Sequence, residues 1–390
     1  MSFDDLIDRR GTYSVKWDKM EPIYGVPADT GLPMWVADTD FKAPPPALER
    51  LREITEHGIL AYTDNEADYR AAIQWWMGER HNWEIDPSWI FTTTGLVNAV
   101  GLCLDTYTHP GDDIVLFTPV YHAFARVIRA AGRDVVECPL VNNNCRYEMD
   151  FAAYDARMTG KERMVILCSP HNPGGRVWSR EELQGVADFC KRHNLLLISD
   201  EIHHDLVYPG HKHIPMCEVD ASIRDRTVML TAPSKTFNVA GLHTGNVIIP
   251  DDSLRAKFAA RMAALAVAPN SAGQFVAQAC YSPEGAEWVD AQVAYLDENR
   301  KLFDAAVEKI PGLASMELES TFLAWVDFTG TGMTRGEFTA RVEKDAQIAV
   351  NHGPSFGHGG TSFLRFNLGT QRARIEDACA RLAKAFSDLQ

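Results

Sequence analysis

No C-x-x-C pair occurs among the eight cysteines, which stand singly from Cys103 to Cys379. That scatter excludes a disulfide framework and a cysteine-built zinc site, and fits thiols kept in a reducing compartment. No apolar run reaches the ~20 residues a membrane-crossing helix needs. The first residues, Met1-Ser2-Phe3-Asp4-Asp5, show no apolar signal core, so a soluble cytoplasmic protein is expected. Positive charge is also in short supply: 38 basic residues face 53 acidic ones, a net charge of −15. Nucleic acid and anionic membrane are poor partners for such a surface. Internal repeats, low-complexity tracts and Pro/Ser-rich linkers are missing as well. What is present is a chain of 390 residues, 46% hydrophobic. It is too long for one compact core and is expected to form two domains.

After an irregular arm of about 30 residues comes an apolar patch carrying two carboxylates, Pro33-Met34-Trp35-Val36-Ala37-Asp38-Thr39-Asp40-Phe41. Pro44-Pro45-Pro46 opens a helix that Gly58 ends. Thr63-x-x-Glu66 predicts a capping box for the next helix. From about residue 88, short apolar strands alternate with helices: 90–93, 114–117, 134–138, 164–168, 195–198, 228–231 and 247–249. Ser179-x-x-Glu182 predicts a second capping box. Continuous apolar strands between helices imply an α/β protein with a mostly parallel sheet covered on both faces. Long helical patterns fill 252–310, short strands follow near 322–326 and 363–366, and a last helix spans about 372–386. This tail reads as a smaller α+β domain joined by the arm. The expected division is 1–45 for the arm and part of the small domain, 46–285 for a large domain, and 286–390 for the small one.

The chemistry concentrates at strand ends. Lys235, in Ala232-Pro233-Ser234-Lys235-Thr236-Phe237-Asn238, falls just past the strand 228–231. A partly desolvated lysine there has a lowered pKa and can attack an aldehyde. Thr94-Gly95-Leu96 opens a helix whose free N–H groups can hold an anion. Tyr121 follows another strand and offers a flat ring. Asn172, in Ser169-Pro170-His171-Asn172-Pro173-Gly174-Gly175, sits in a turn and can donate to a phenolate oxygen. Asp200 ends the strand 195–198 and can pair with a protonated heterocyclic nitrogen. Singly, each has an ordinary alternative: a plain turn, a core tyrosine, a turn asparagine, a helix cap, a surface lysine. In this order, at the ends of separate strands, they describe a holder for pyridoxal phosphate. The helix start takes the phosphate, Tyr121 stacks, Asn172 meets the ring oxygen, Asp200 the ring nitrogen and Lys235 the aldehyde.

The stretches "CSPHNPGGRVW" (168–178), "LLLISDEIHHDLV" (195–207), "APSKTFNVAGL" (232–242) and "SFLRFNLGT" (362–370) resemble the fold-type I pyridoxal-phosphate enzymes of the aspartate-aminotransferase superfamily. Within it, "MWVADTDF" (34–41), "AYTD" (61–64) and "TPVYHAF" (118–124) resemble the cystathionine β-lyase branch, the MalY/PatB-type carbon–sulfur lyases. The resemblance implies a large domain with a seven-stranded, mostly parallel sheet between helices, plus a smaller α+β domain. It implies that Arg365 grips the substrate carboxylate, with Ala37 and Asn172 beside it. Ser234 and His203 are then cofactor neighbours. Tyr62 is implied to reach the cofactor phosphate of the other subunit of a homodimer. His243 stands where many aminotransferases of the superfamily carry a phosphate-binding arginine, a departure shared with the lyase branch. Asn98 replaces a proline frequent in those lyases.

The histidines His203, His204, His211 and His213 invite a metal reading. No acidic or cysteine partner at ligand spacing completes it in the sequence, although Asp205 is near, and no metal is expected. The Gly-rich run 353–360 lacks the following Lys-Ser/Thr of a P-loop; the resemblance places it at the border of the substrate site. The leading expectation is a carbon–sulfur β-lyase that cleaves cystathionine or a cysteine S-conjugate to thiol, pyruvate and ammonia. An aminotransferase uses the same residues and is the alternative. A non-catalytic pyridoxal-phosphate-binding regulator is a third reading, which the full set of Lys235, Asp200, Asn172 and Arg365 disfavours.

Overall fold

A computed structural model describes residues 2–389. Seven strands form the main sheet: β1 (Ile90–Thr93), β2 (Asp113–Thr118), β3 (Asp134–Pro139), β4 (Glu162–Cys168), β5 (Leu196–Asp200), β6 (Thr227–Thr231) and β7 (Gly245–Ile248). Their order across the sheet is β1-β7-β6-β5-β4-β2-β3. β7 runs antiparallel to both of its neighbours, while the β2, β3, β4, β5 and β6 pairings are parallel. The central strands are buried along nearly their whole length, which is why they read as unbroken apolar runs rather than alternating ones. Apolar side chains from both faces of the sheet pack against the flanking helices, Leu96–Tyr107 and His122–Ala130 on one side and Arg180–Arg192 on the other.

A second sheet of four strands follows: β8 (Ala314–Ser315), β9 (Leu323–Asp327), β10 (Asn351–His352) and β11 (Phe363–Asn367), ordered β8-β9-β11-β10. Leu32–Pro33 of the arm pairs in parallel with Ile348–Ala349. Asn367 ties the arm further by donating to Asp38 O at 2.7 Å and to Val36 O. The arm is not wholly irregular: it carries short helical turns at Val15–Asp18 and Met20–Tyr24. Among the described residues no helix is long and apolar enough to cross a membrane, and all eight cysteines are free thiols.

The capping box at Ser179 and Glu182 forms with both reciprocal bonds. The one expected at Thr63 does not. The helix begins at Glu66, its N-cap position is Asn65, and no side chain caps it. Residues 58–64 run exposed over the surface, so nothing holds Thr63 against the helix start. A Thr-x-x-Glu pattern supplies the groups for a box, not the backbone turn that brings them together.

Candidate active site

Parallel α/β sheets bind ligands where the carboxyl ends of their strands open into a crevice. Here a cavity of about 300 Å³ lies at those ends. Ala37, Gly95, Leu96, Tyr121, Asn172, Asp200, His203, Ser234, Lys235 and His243 all line it. They arrive from chain segments up to two hundred residues apart, each delivered by the end of a strand or the arm.

The floor of the cavity is set by β5 and β6. Asp200, the last residue of β5, is buried, and its carboxylate accepts one hydrogen bond, from Ile202 N–H at 3.1 Å. Burial pushes its pKa up to about 7, with Glu201 adding to the rise and Lys235 opposing it. Lys235 is carried on a one-turn helix, Pro233–Thr236, directly after β6. Its Nζ donates to Ala37 O at 2.6 Å. Desolvation lowers the ammonium pKa to about 8, against the pull of Asp38. A lysine in that state supplies a free amine near neutral pH. His203 is buried, and desolvation, reinforced by the positive charges of Lys235 and Arg365, holds it well below its ordinary pKa, so its ring is neutral.

At another wall, Gly95 precedes the helix Leu96–Tyr107. Its φ of +102° is open to glycine and strained for other residues, so the sharp turn from β1 into the helix depends on it. The first-turn residues of this helix border the cavity, and free N–H groups at a helix start suit an anion. Tyr121 stands at the N-cap of the helix His122–Ala130 and is half-buried. Asn172 follows β4, and its Oδ1 accepts from Arg365 Nη1 at 3.0 Å. Arg365 does not itself line the cavity; it reaches it through Asn172. Its guanidinium also donates to Trp35 O at 2.9 Å and to Asn351 Oδ1, and stands over the Phe356 ring at 5.0 Å. Its Nε has no partner among the described residues. Burial lowers its pKa to about 10, which leaves it charged at neutral pH.

Tyr62 is the exception. It is fully exposed and lies outside the cavity of its own chain. The Gly-rich run 353–360 stays off the cavity wall too, but Phe356 bonds to the Val120 backbone and so abuts the Tyr121 loop. The histidines of 203–213 are not loop residues at the surface, His211 aside. His203, His204 and His213 are buried. In the fold Glu201 and Asp205 each meet a partner: Glu201 Oε2 lies 2.7 Å from His213 Nε2, and Asp205 Oδ1 lies 2.9 Å from His81 Nε2.

Sequence reading missed several members of the wall. Cys168, Ile202 and Ala240 line the cavity without any chemical signature. Asn238 is a different omission. Its side chain accepts from Thr39 N–H at 3.0 Å and donates to Thr39 O and Phe41 O, clamping the arm beside Lys235. An asparagine directly after Lys-Thr-Phe, at a φ of +55°, is the available signal, since asparagine tolerates that backbone.

A buried acid with a single donor, a desolvated lysine, an asparagine amide and a helix N-terminus thus face one volume. The sequence matches the family described as aminotransferase class I and II over residues 36–382. The chain belongs to that family. It is 37% identical over 390 residues to cystathionine beta-lyase PatB of Bacillus subtilis (strain 168), covering 99% of this chain and 100% of that one. Protein MalY of Escherichia coli (strain K12) is 30% identical over 387 residues, covering 98% of each. The crystal structure of cystalysin from Treponema denticola, which contains a pyridoxal 5′-phosphate cofactor, matches with a TM-score of 0.95 at 34% identity, over 100% of this chain and 99% of that one. The fold is that of the fold-type I transferases, and the family depends on pyridoxal phosphate.

The donor set fits that group. A protonated ring nitrogen would complete the partners of Asp200, the amide of Asn172 suits a ring oxygen, and the helix start at Gly95–Leu96 suits a phosphate. Ser234 and His243 border the same volume.

Proposed function

We propose that the protein is a pyridoxal-phosphate-dependent carbon–sulfur β-lyase acting on cystathionine or a related cysteine S-conjugate. The observation that carries this reading is the convergence of Lys235, Asp200 and the Asn172–Arg365 pair on one cavity, in a chain related over its whole length to a cystathionine β-lyase. Bound pyridoxal phosphate supplies an aldehyde for the substrate amine and a ring that accepts the electrons released at Cα.

The residues of the chain do the rest. Arg365 offers a planar fork to the α-carboxylate of the substrate, and its links to Asn172 and Trp35 fix the orientation of that fork. Carboxylate binding at that point turns the substrate so that its Cα proton faces Lys235. The Lys235 amine, depressed by burial, takes the proton and can return it to another atom. With the cofactor bound, Asp200 would hold positive charge at the ring nitrogen, which would favour negative charge developing at Cα. Departure of the thiolate from Cβ and addition of water then yield thiol, pyruvate and ammonia. Return of the proton to the cofactor carbon would instead give transamination.

Tyr62 completes the site across a homodimer in this reading. In support, Ile59, Leu60 and Tyr62 form an exposed apolar stretch, the kind of surface that an interface covers. The division into an arm (1–45), a cofactor-binding part (46–285) and a smaller part (286–390) belongs to the same proposal, as does a cytoplasmic location.

Incubation of the holoenzyme with cystathionine tests the activity. Pyruvate and free thiol are expected in equal amounts with no keto acid added. Strict dependence on an added keto acid, with no pyruvate in its absence, would overturn the lyase reading in favour of an aminotransferase.

A further inference from the structure

Behind the cavity lies a buried polar cluster that the reaction does not use. Its centre is Asp205, in the loop that follows β5, with a side chain closed to solvent. The two carboxylate oxygens have distinct partners. Oδ1 accepts from Trp76 Nε1 at 3.0 Å and meets His81 Nε2 at 2.9 Å. Oδ2 accepts from Thr236 Oγ1 at 2.7 Å and lies 3.0 Å from His204 Nε2. Thr236 is the residue after Lys235 and the last of its one-turn helix.

A four-residue helix has almost no stability of its own, since nucleation costs more than one turn returns. The position of Lys235 must therefore be set from outside. On the arm side, Ala37 O takes the Lys235 amine and Asn238 clamps Thr39 and Phe41. The Ala37 contact uses the reacting nitrogen itself and must break whenever that nitrogen works. The Asp205–Thr236 bond makes no such demand. It joins a fixed, multiply held carboxylate to the backbone neighbour of the lysine.

We propose that Asp205 and Thr236 are positioning residues for Lys235, holding the lysine-bearing turn in place while its amine leaves Ala37 and moves between proton positions. The inference rests on the reading of Lys235 as the lysine that meets the cofactor. The neighbouring ring nitrogens and carboxylates of His81, His204, His213 and Glu201 come close enough to suggest a metal cluster. The carboxylates, however, already have hydrogen-bond donors: Ser199 Oγ at 2.7 Å and Met216 N–H at 3.0 Å serve Glu201, as Trp76 and Thr236 serve Asp205. In this proposal the cluster acts as a hydrogen-bonded anchor.

The test compares Thr236→Val, Thr236→Ser and Asp205→Asn holoenzymes with the unaltered protein. Thr236→Val keeps the shape and removes the donor. It is expected to retain the visible absorbance of the bound cofactor and to lower kcat about tenfold to a hundredfold, the range for loss of a buried bond to a charged group. KM should stay within about twofold. Hydrogen exchange of the backbone amides of 234–238 should quicken by a similar factor, while the amides of β5 stay protected. Thr236→Ser, which restores the hydroxyl, should return both readouts to near the starting values. Asp205→Asn should share the exchange signature if it folds; Thr236→Val decides the matter on its own if it does not.

Unchanged kcat and unchanged exchange at 234–238 in Thr236→Val would overturn the proposal. So would stoichiometric zinc or another divalent ion in the purified protein whose removal by chelator reproduces the Val phenotype. Failure of the underlying lysine assignment shows differently, as cofactor absorbance that survives Lys235→Ala.

Discussion

Replacing Asp200 with asparagine should make the cofactor-free protein more stable while ruining it as an enzyme. The carboxylate is buried with one hydrogen-bond donor, and burial raises its pKa from an ordinary 3.8 to about 7. A raised carboxyl pKa means that the folded state resists ionisation. The cost begins as pH rises past the unfolded value near 4 and is complete above the folded value near 7. At about 1.36 kcal/mol per pKa unit, the full cost is roughly 4 kcal/mol at pH 8.5 and about 1.7 kcal/mol at pH 5. Asparagine keeps the acceptor for Ile202 N–H and carries no charge. With an unfolding entropy of about 2.1 cal/mol/K per residue, the gain corresponds to a Tm about 5 °C higher at pH 8.5 and about 2 °C higher at pH 5. Scanning calorimetry of the cofactor-free proteins at both pH values measures it. In the holoenzyme the same variant should lose at least about a hundredfold in kcat, because no charge then holds the proton on the ring nitrogen. A variant no more stable than the parent at pH 8.5, or stabilised equally at both pH values, would refute the account of Asp200 as a desolvated acid.

Lys235→Ala should abolish both the visible absorbance of the cofactor and the lyase activity, and a borohydride-reducible adduct in that variant would place the reactive amine elsewhere. Arg365→Ala should lower kcat/KM about tenfold to a hundredfold, chiefly through KM, as expected for the loss of a charge-assisted carboxylate contact; steady-state kinetics with cystathionine read the split. Because burial lowers the Lys235 pKa to about 8, the free amine grows tenfold per pH unit below that value and levels off above it. The rate at which cofactor-free protein takes up pyridoxal phosphate should follow that curve in stopped-flow absorbance, and a rate still climbing between pH 9 and 10 would contradict the shift.

The sheet was legible because its physics is local. Apolar runs such as Met164–Cys168 and Val228–Leu230 can only be buried strands, and the structure places strands there. The cavity wall was legible for a related reason, since polar residues just past such runs have to sit at the strand ends. What escaped was information carried by distant partners. The antiparallel direction of β7 is fixed by β1 and β6 on either side, not by anything in Gly245–Ile248. The helix at Glu66 starts later than its Thr-x-x-Glu pattern suggests because the preceding segment has no tertiary hold. His204 and His213 pass for loop histidines until the fold sets His204 beside Asp205 and His213 beside Glu201, and brings His81 to Asp205 from well over a hundred residues away. Asn238 belongs to the same class: its value lies in the Thr39 and Phe41 backbone across the site.

The pairing of Leu32–Pro33 with Ile348–Ala349, and the grip of Asn367 on Val36 and Asp38, also order events in the life of the chain. The peptide that presents Ala37 to Lys235 is made before the segments that hold it, yet it finds its seat only once Ile348–Ala349 and the strand that carries Asn367 are in place. The reactive amine lacks its Ala37 partner until the arm has met those strands. Competence to hold the vitamin therefore waits on a contact between segments some three hundred residues apart, and damage to either one would undo the working face from a distance.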